Sequence, residues 1–169
     1  QIKKLNISFF EAITTLAFWY FNKHNVDIAI LETGLGGRLD SVSVCKPKLV
    51  VFTSISLDHQ HILGETIEEI TIEKAGAIKE GVPCISSTQP KEVKHILNSH
   101  ALKLNTHIEY VNNQDSRLTN LNGGHQRLNA SLAVQAVKKL TEFNIMNSDI
   151  ERGLKEVKWP ARIQKIFDK

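Results

Sequence analysis

Apolar positions along the chain follow two rhythms. After Ser8-Phe9-Phe10-Glu11, a Ser-x-x-Glu capping box, Phe10, Ile13, Thr14, Ala17 and Phe21 recur at helical spacing. This predicts a first helix packed on a sheet. Val26-Asp27-Ile28-Ala29-Ile30-Leu31-Glu32 and Leu49-Val50-Val51-Phe52-Thr53-Ser54-Ile55 are short, rich in β-branched residues and not cleanly alternating. Strands buried on both faces of a parallel sheet read this way. A third strand is expected over Gly81–Ser86 and another over His107–Val111. A helix is expected between them, from Pro90 to Leu104, with Val93, Ile96, Leu97 and Leu104 on its inner side. Two more helices follow. One begins at Gly124 and buries Leu132, Ala133, Ala136, Val137 and Leu140; the other is capped by Ser148 or Asp149 and runs through Val157. The alternation implies an α/β fold, a mostly parallel sheet with helices on both faces.

The polar residues that interrupt these runs sit where chemistry is expected. In open parallel sheets the ligand crevice lies beyond the carboxyl ends of the strands. Glu32 follows the first apolar run, and Asp58 and His59 follow the second, so two neighbouring strands deliver metal-capable side chains to one edge. A helix expected from about Glu65 to Glu80 has the stripe Ile67, Ile70 and Ile78, and Lys74 falls inside it. An ammonium there loses solvation unless its head escapes to water or pairs with a carboxylate. A neutral lysine at such a place can instead take up carbon dioxide, giving a carbamate that is an anionic bidentate metal ligand. Gly34-Leu35-Gly36-Gly37 would let backbone approach a ligand closely, though it is not a Walker loop, since no Gly-Lys-Ser/Thr follows.

Composition narrows the class without choosing a function. Of 169 residues, 41% are hydrophobic and 23% charged, as in ordinary globular domains, and the net charge of +3 is modest. No Lys/Arg run suggests a nucleic-acid stripe, and no apolar run approaches a membrane span. Cys45 and Cys84 fit neither a zinc motif nor a disulfide framework, so a reduced, cytoplasmic setting is expected.

Taken in order, Ile30-Leu31-Glu32-Thr33-Gly34-Leu35-Gly36-Gly37-Arg38-Leu39-Asp40, Ser54-Ile55-Ser56-Leu57-Asp58-His59 and Ile72-Glu73-Lys74-Ala75-Gly76 closely resemble the folylpolyglutamate synthase and dihydrofolate synthase family. That family lies within the Mur ligase superfamily of ATP-dependent amide-forming enzymes. The resemblance implies a central-domain fold of P-loop NTPase type and two Mg2+ ions. Glu32 and His59 would be magnesium ligands, and a carbamylated Lys74 would hold the second ion. The family's T-x-F-E motif falls on Ser8-Phe9-Phe10-Glu11, which makes Phe10 a lining of the pterin pocket and Ser8 its neighbour. Arg38 and Asp40 would face substrate, Asp40 hydrogen-bonding the pterin. Gly124-His125-Gln126-Arg127-Leu128-Asn129-Ala130 resembles the motif whose asparagine reads adenine, so Asn129, with Gln126 beside it, is a candidate for ATP binding. The bare residue reading of Asn129 is a helix cap. Trp159-Pro160-Ala161-Arg162 resembles W-P-G-R, whose arginine reaches the ATP phosphates; Arg162 is the candidate here, with alanine where the family has glycine.

The resemblance also implies small-molecule substrates (ATP, L-glutamate, and dihydropteroate or a folate) and a monomer. Residues 1–160 are expected to form part of the ATP-binding domain. Residues 161–169 would be its last strand or the start of a linker to a glutamate-binding domain. The family's Gly-Lys-Ser/Thr loop has no copy in the sequence and would precede Gln1, so these residues alone are expected to be inactive. Other readings are weaker. An amidohydrolase barrel, suggested by His59-Gln60-His61, needs a longer chain. A degenerate nucleotide-binding module and a peptidoglycan-type ligase remain, the latter disfavoured by the glycine loop and the Ser8–Glu11 start. The segment Ser41-Val42-Ser43 departs from the family's Ala-Thr-Asn, and the stretch from Asn112 to Asn122 is short for it.

Overall fold

The computed structural model describes residues 6–111 and 119–160. At its centre β1 (Val50–Phe52), β2 (Cys84–Ser87) and β3 (Ile108–Val111) form a parallel sheet in that order. Val50 lies opposite Cys84, and Cys84 opposite Ile108. β2 is buried at all four positions because strands flank it and helices cover it. Successive strand side chains point to opposite faces. Cys84 accordingly joins the core with Phe52, Ile70, Val93, Leu97 and Ala101, whereas Ile85 faces the other way.

Six helices are present among the described residues: α1 (Phe9–Lys23), α2 (Gln60–Leu63), α3 (Ile67–Ala75), α4 (Lys91–Lys103), α5 (Gly124–Lys139) and α6 (Asn147–Glu156). α3 and α4 pack on each other over the Cys84 side, and α5 packs on β2 and β3. Helices thus cover both faces of a parallel sheet, as the pattern predicts. No helix among the described residues is long and apolar enough to cross a membrane.

Several expectations are corrected. The expected first strand, Val26 to Glu32, makes no ladder, and Ile30 is 91% exposed. An apolar run becomes a strand only when a neighbour takes its backbone groups, and no described residue does so here. α1 forms with its capping box intact, Glu11 N–H donating to Ser8 Oγ and Ser8 N–H to the Glu11 carboxylate. It packs, however, on a 3-10 turn at Ser41–Val44 and not on the sheet; Thr14 is its one buried residue.

α3 is shorter than the expected span from Glu65 to Glu80. Thr66 and Glu69 build a capping box at its start, and the chain leaves the helix at Gly76. α4 matches, with Pro90 at its cap and Val93 and Leu97 buried, although Ala101 completes the stripe while Leu104 is only partly buried. α5 is rotated from its expected face. Ala130, Ser131, Leu132 and Val134 are buried, whereas Ala133 and Asn129 are exposed. Asn129 is therefore neither a buried amide nor the cap, which is Gly123. α6 starts before Ser148; Asp149 serves from inside the first turn, accepting the Met146 N–H at 3.0 Å. Arg162 and the expected last strand lie outside the described residues.

Candidate active site

The loop between Thr33 and Asp40 divides two clefts, and its own construction explains why. Asp40 is buried, with one carboxylate oxygen accepting the Leu35 N–H at 2.9 Å and the other the Val42 N–H at 3.0 Å. The carboxylate thus closes the glycine loop and caps the Ser41–Val44 turn at once. Gly36 holds a φ of +65°, which side chains rarely adopt. A Cβ on Gly37 would stand 2.8 Å from the Lys74 carbonyl oxygen, and one on Gly76 2.4 Å from the Arg38 Cβ. Only hydrogen at both positions lets the loop lie against the end of α3.

Arg38 fastens that contact. Its N–H donates to the Glu73 carbonyl at 2.9 Å, and its guanidinium holds the Glu73 carboxylate through Nε at 3.1 Å and Nη2 at 2.9 Å. Hydrogen bonding to Glu73, and then its charge, push the Arg38 pKa above the ordinary value. The pair is solvent-exposed, so geometry and not energy is its main contribution. In the sequence Glu73 reads only as the motif neighbour of Lys74; no local spacing marks it as the partner of an arginine 35 residues before it.

The larger cleft, about 850 Å3, lies between residues 30–36 and β1 with the loop that follows it. Glu32, Asp58, His59, Lys74, Asn129 and Trp159 all line it. Residues remote in sequence therefore open onto one space, and Lys74 arrives half-buried from the last turn of α3. No carboxylate pairs with Lys74 among the described residues. His59 sits at the start of α2 with a φ of +52°, in the left-handed region that histidine enters more often than most residues. Its own N–H donates to Asp58 Oδ1 at 2.8 Å, and its carbonyl accepts from Ile62 and Leu63. This turn aims His59 toward the cleft. His61 does not line the cleft, its ring lying 6.4 Å from that of His59. Gln126 does not line it either, but its side-chain oxygen accepts from Asn129 Nδ2 at 3.4 Å.

The smaller cleft, about 570 Å3, is lined by Ser8, Phe10, Arg38, Asp40 and Glu73 among others. All four substrate-binding candidates are thus together. Phe10 presses on the loop: a Cβ on Gly34 would meet its ring at 2.7 Å. Gly34 and Leu35 line both clefts, so the loop is their shared wall.

Among the described residues, no three His, Cys, Asp or Glu side chains gather tightly enough to hold a cation by themselves. That suits magnesium, which keeps several waters and takes one or two protein ligands plus phosphate oxygens. Glu32 and His59 on one cleft carry the oxygen and nitrogen atoms such an ion can take, whereas Lys74 as a free ammonium offers it none.

No family model matches the chain. Individual proteins do. It is 40% identical over 185 residues to the dihydrofolate synthase/folylpolyglutamate synthase of Bacillus subtilis, covering 93% of this chain and 43% of that protein. It is 33% identical over 195 residues to the folylpolyglutamate synthase of Lacticaseibacillus casei, covering 99% and 46%. The solved structure of an FPGS–AMPPCP complex superposes with a TM-score of 0.91 at 31% identity, over 99% of this chain and 48% of that one. The chain thus spans a little under half the length of these two relatives. Its glycine loop, its shared cleft and these likenesses agree: the chain belongs to the folylpolyglutamate synthase and dihydrofolate synthase family.

Proposed function

We propose that the protein is an ATP-dependent ligase that adds L-glutamate to dihydropteroate, to folate polyglutamates, or to both. The carboxylate of the acceptor is first phosphorylated by ATP, and the glutamate amine then displaces phosphate from the acyl phosphate to form the amide. One observation carries this reading: Glu32, His59 and Lys74, far apart in the chain, open onto a single cleft beside the glycine loop.

Roles follow from placement. Glu32 and His59 are suited to hold Mg2+ by one donor each, and Lys74, once carbamylated, by a carboxylate-like group. Carbamylation joins the neutral Nζ to carbon dioxide and releases one proton. Bound Mg2+ would neutralise phosphate charge and draw donor and acceptor oxygens together. Asn129 stands at the cleft rim with its amide exposed, in reach of a nucleotide base. Arg162, by resemblance, would offset charge during phosphoryl transfer. In the smaller cleft Phe10 offers a ring face to a pterin, with Ser8 and Arg38 at its edges. Asp40 spends one lone pair of each oxygen on the loop backbone and keeps the others for a ligand. This protein chain does little covalent chemistry; its residues position and screen charge.

The test is phosphate release with ATP, L-glutamate and, in separate arms, dihydropteroate or tetrahydrofolate, on the protein as the cell makes it. Turnover is expected, and Lys74→Ala or Glu32→Ala should each lower it by about a hundredfold or more. Bicarbonate-dependent mass gain of one carbamate on Lys74 is the second expected signature. Turnover that survives both substitutions sinks the assignment. The 169 residues alone should not turn over, since they contain no Gly-Lys-Ser/Thr loop.

A further inference from the structure

Gln89 is buried to 5% exposure, yet neither cleft includes it and the roles above do not use it. A buried primary amide must find partners for two N–H groups and an oxygen. Here all are found, and their identity is informative. Gln89 Oε1 accepts the Ile55 N–H at 3.0 Å, while Nε2 donates to the Thr53 carbonyl at 2.7 Å. Nε2 also reaches Ser86 Oγ at 3.0 Å, and Ser86 Oγ donates onward to the Ser87 carbonyl at 2.9 Å. The orientation of the amide is fixed chemically, because a backbone N–H can only donate and a carbonyl can only accept.

Thr53 C=O and Ile55 N–H flank Ser54. They are the pair that one residue of a neighbouring parallel strand engages, donating to the residue before its partner and accepting from the residue after it. The β1–β2 ladder stops at Phe52 opposite Ser86. Just beyond that point, a side-chain amide takes the place of a peptide unit. We infer that Gln89 is a positioning residue: its amide continues the sheet by one rung past β1, fixing the Thr53–Ile55 backbone and, through it, the turn that delivers Asp58 and His59 to the larger cleft. Thr53, Ser54, Ile55, Asp58 and His59 all line that cleft, so the rung is anchored behind the wall it holds. The link from this rung to catalysis rests on the function proposed above; the rung itself does not.

The experiment uses the protein as the cell makes it, in solution NMR, without metal or nucleotide. In the unsubstituted chain, the Gln89 side-chain amide protons should exchange slowly and show through-hydrogen-bond coupling to the Thr53 carbonyl. Amide protons exchanging as fast as those of an exposed glutamine would overturn the inference, whether or not any variant folds. Gln89→Leu should speed exchange of the Ile55 N–H by about tenfold or more and shift the His59 ring resonances. Ser86→Ala removes a buried partner of the same amide but leaves the rung, so Ile55 and His59 should stay near native. Equal effects from the two variants would mean general loosening of the core, and the inference fails. Mn2+ is then added as a metal probe, read by broadening of the His59 ring signal. Absence of broadening in the unsubstituted chain counts against the proposed metal role of His59 and leaves the positioning result standing. An unchanged Ile55 exchange rate in Gln89→Leu defeats the positioning, whatever Mn2+ does.

Discussion

α1 and α4 are both amphipathic helices with an orderly apolar stripe, yet they end differently. α4 buries Val93, Leu97 and Ala101 completely against α3 and the sheet. α1 leaves Phe10 40% and Ile13 45% exposed in its stripe and Phe9 82% exposed beside it; it rests on the turn at Ser41–Val44, with Phe10 against the glycine loop. The spacing that makes a helix is present in both, and so are terminal signals. What differs is a facing surface. Burial is a property of pairs of elements, and a stripe without a partner keeps its helix but gains little from hydrophobic transfer.

This contrast predicts graded responses. Leu97→Ala, in the fully buried stripe, should lower unfolding free energy by about 3 kcal/mol in a denaturant titration, because a cavity opens in packed surroundings. Gly76→Ala should come close behind, at about 2 to 3 kcal/mol, since its Cβ would stand 2.5 Å from the Arg38 Cα and the glycine loop would have to lift. A small effect there would show that loop and helix are not locked together.

The two cysteines sharpen the comparison by chemistry. Burial pushes the Cys84 thiol from 9.0 up to about 11, while Cys45 is half-buried in the loop region. Two units of pKa lower the thiolate fraction about a hundredfold, so iodoacetamide at mildly alkaline pH should label Cys45 first and Cys84 only on unfolding. Mass spectrometry of the labelled peptides reads the order. The same shift carries a sign for stability: the folded state favours the neutral thiol, so its contribution is present below the ordinary value of 9.0 and is lost as pH rises toward about 11. Near the bottom of the scale, Ser8→Ala should cost about 1 kcal/mol through loss of the cap. Leu16→Ala should change stability by less than about 0.5 kcal/mol, because that side chain is already in water. A larger loss for Leu16 than for Ser8 would mean that α1 does have a buried partner.

Much of the candidate site was legible before the fold. Glu32, His59 and Lys74 stood out as polar groups at strand ends and inside an apolar stripe, and the structure opens all three onto one cleft. Ser8, Phe10, Arg38 and Asp40 line another. Less legible was what each residue does locally. Asp40 reads as a substrate contact, but its carboxylate also ties the loop backbone, and nothing in linear spacing marks a side chain that bonds residues five before and two after it. The local roles of Glu73 and Gln89 were invisible for the same reason: their partners are distant in sequence. The rotated face of α5 has another cause. Leu132 and Val134 are buried while Ala133 between them is not, and short alanine-rich stripes leave the helix phase loosely specified.

By itself the amino-acid order pointed to five of the six described helices, missing the one-turn α2, and to where most of them start, and it gave the sheet as parallel. These follow from local sterics, capping and periodicity, which act over a few residues. Tertiary structure alone decided that the Val26–Glu32 run has no ladder among the described residues, that α1 rests on a turn, and that two glycines let a loop touch a helix end. Those outcomes depend on which surfaces meet. That is settled by close packing and by the pairing of buried polar groups across the whole domain.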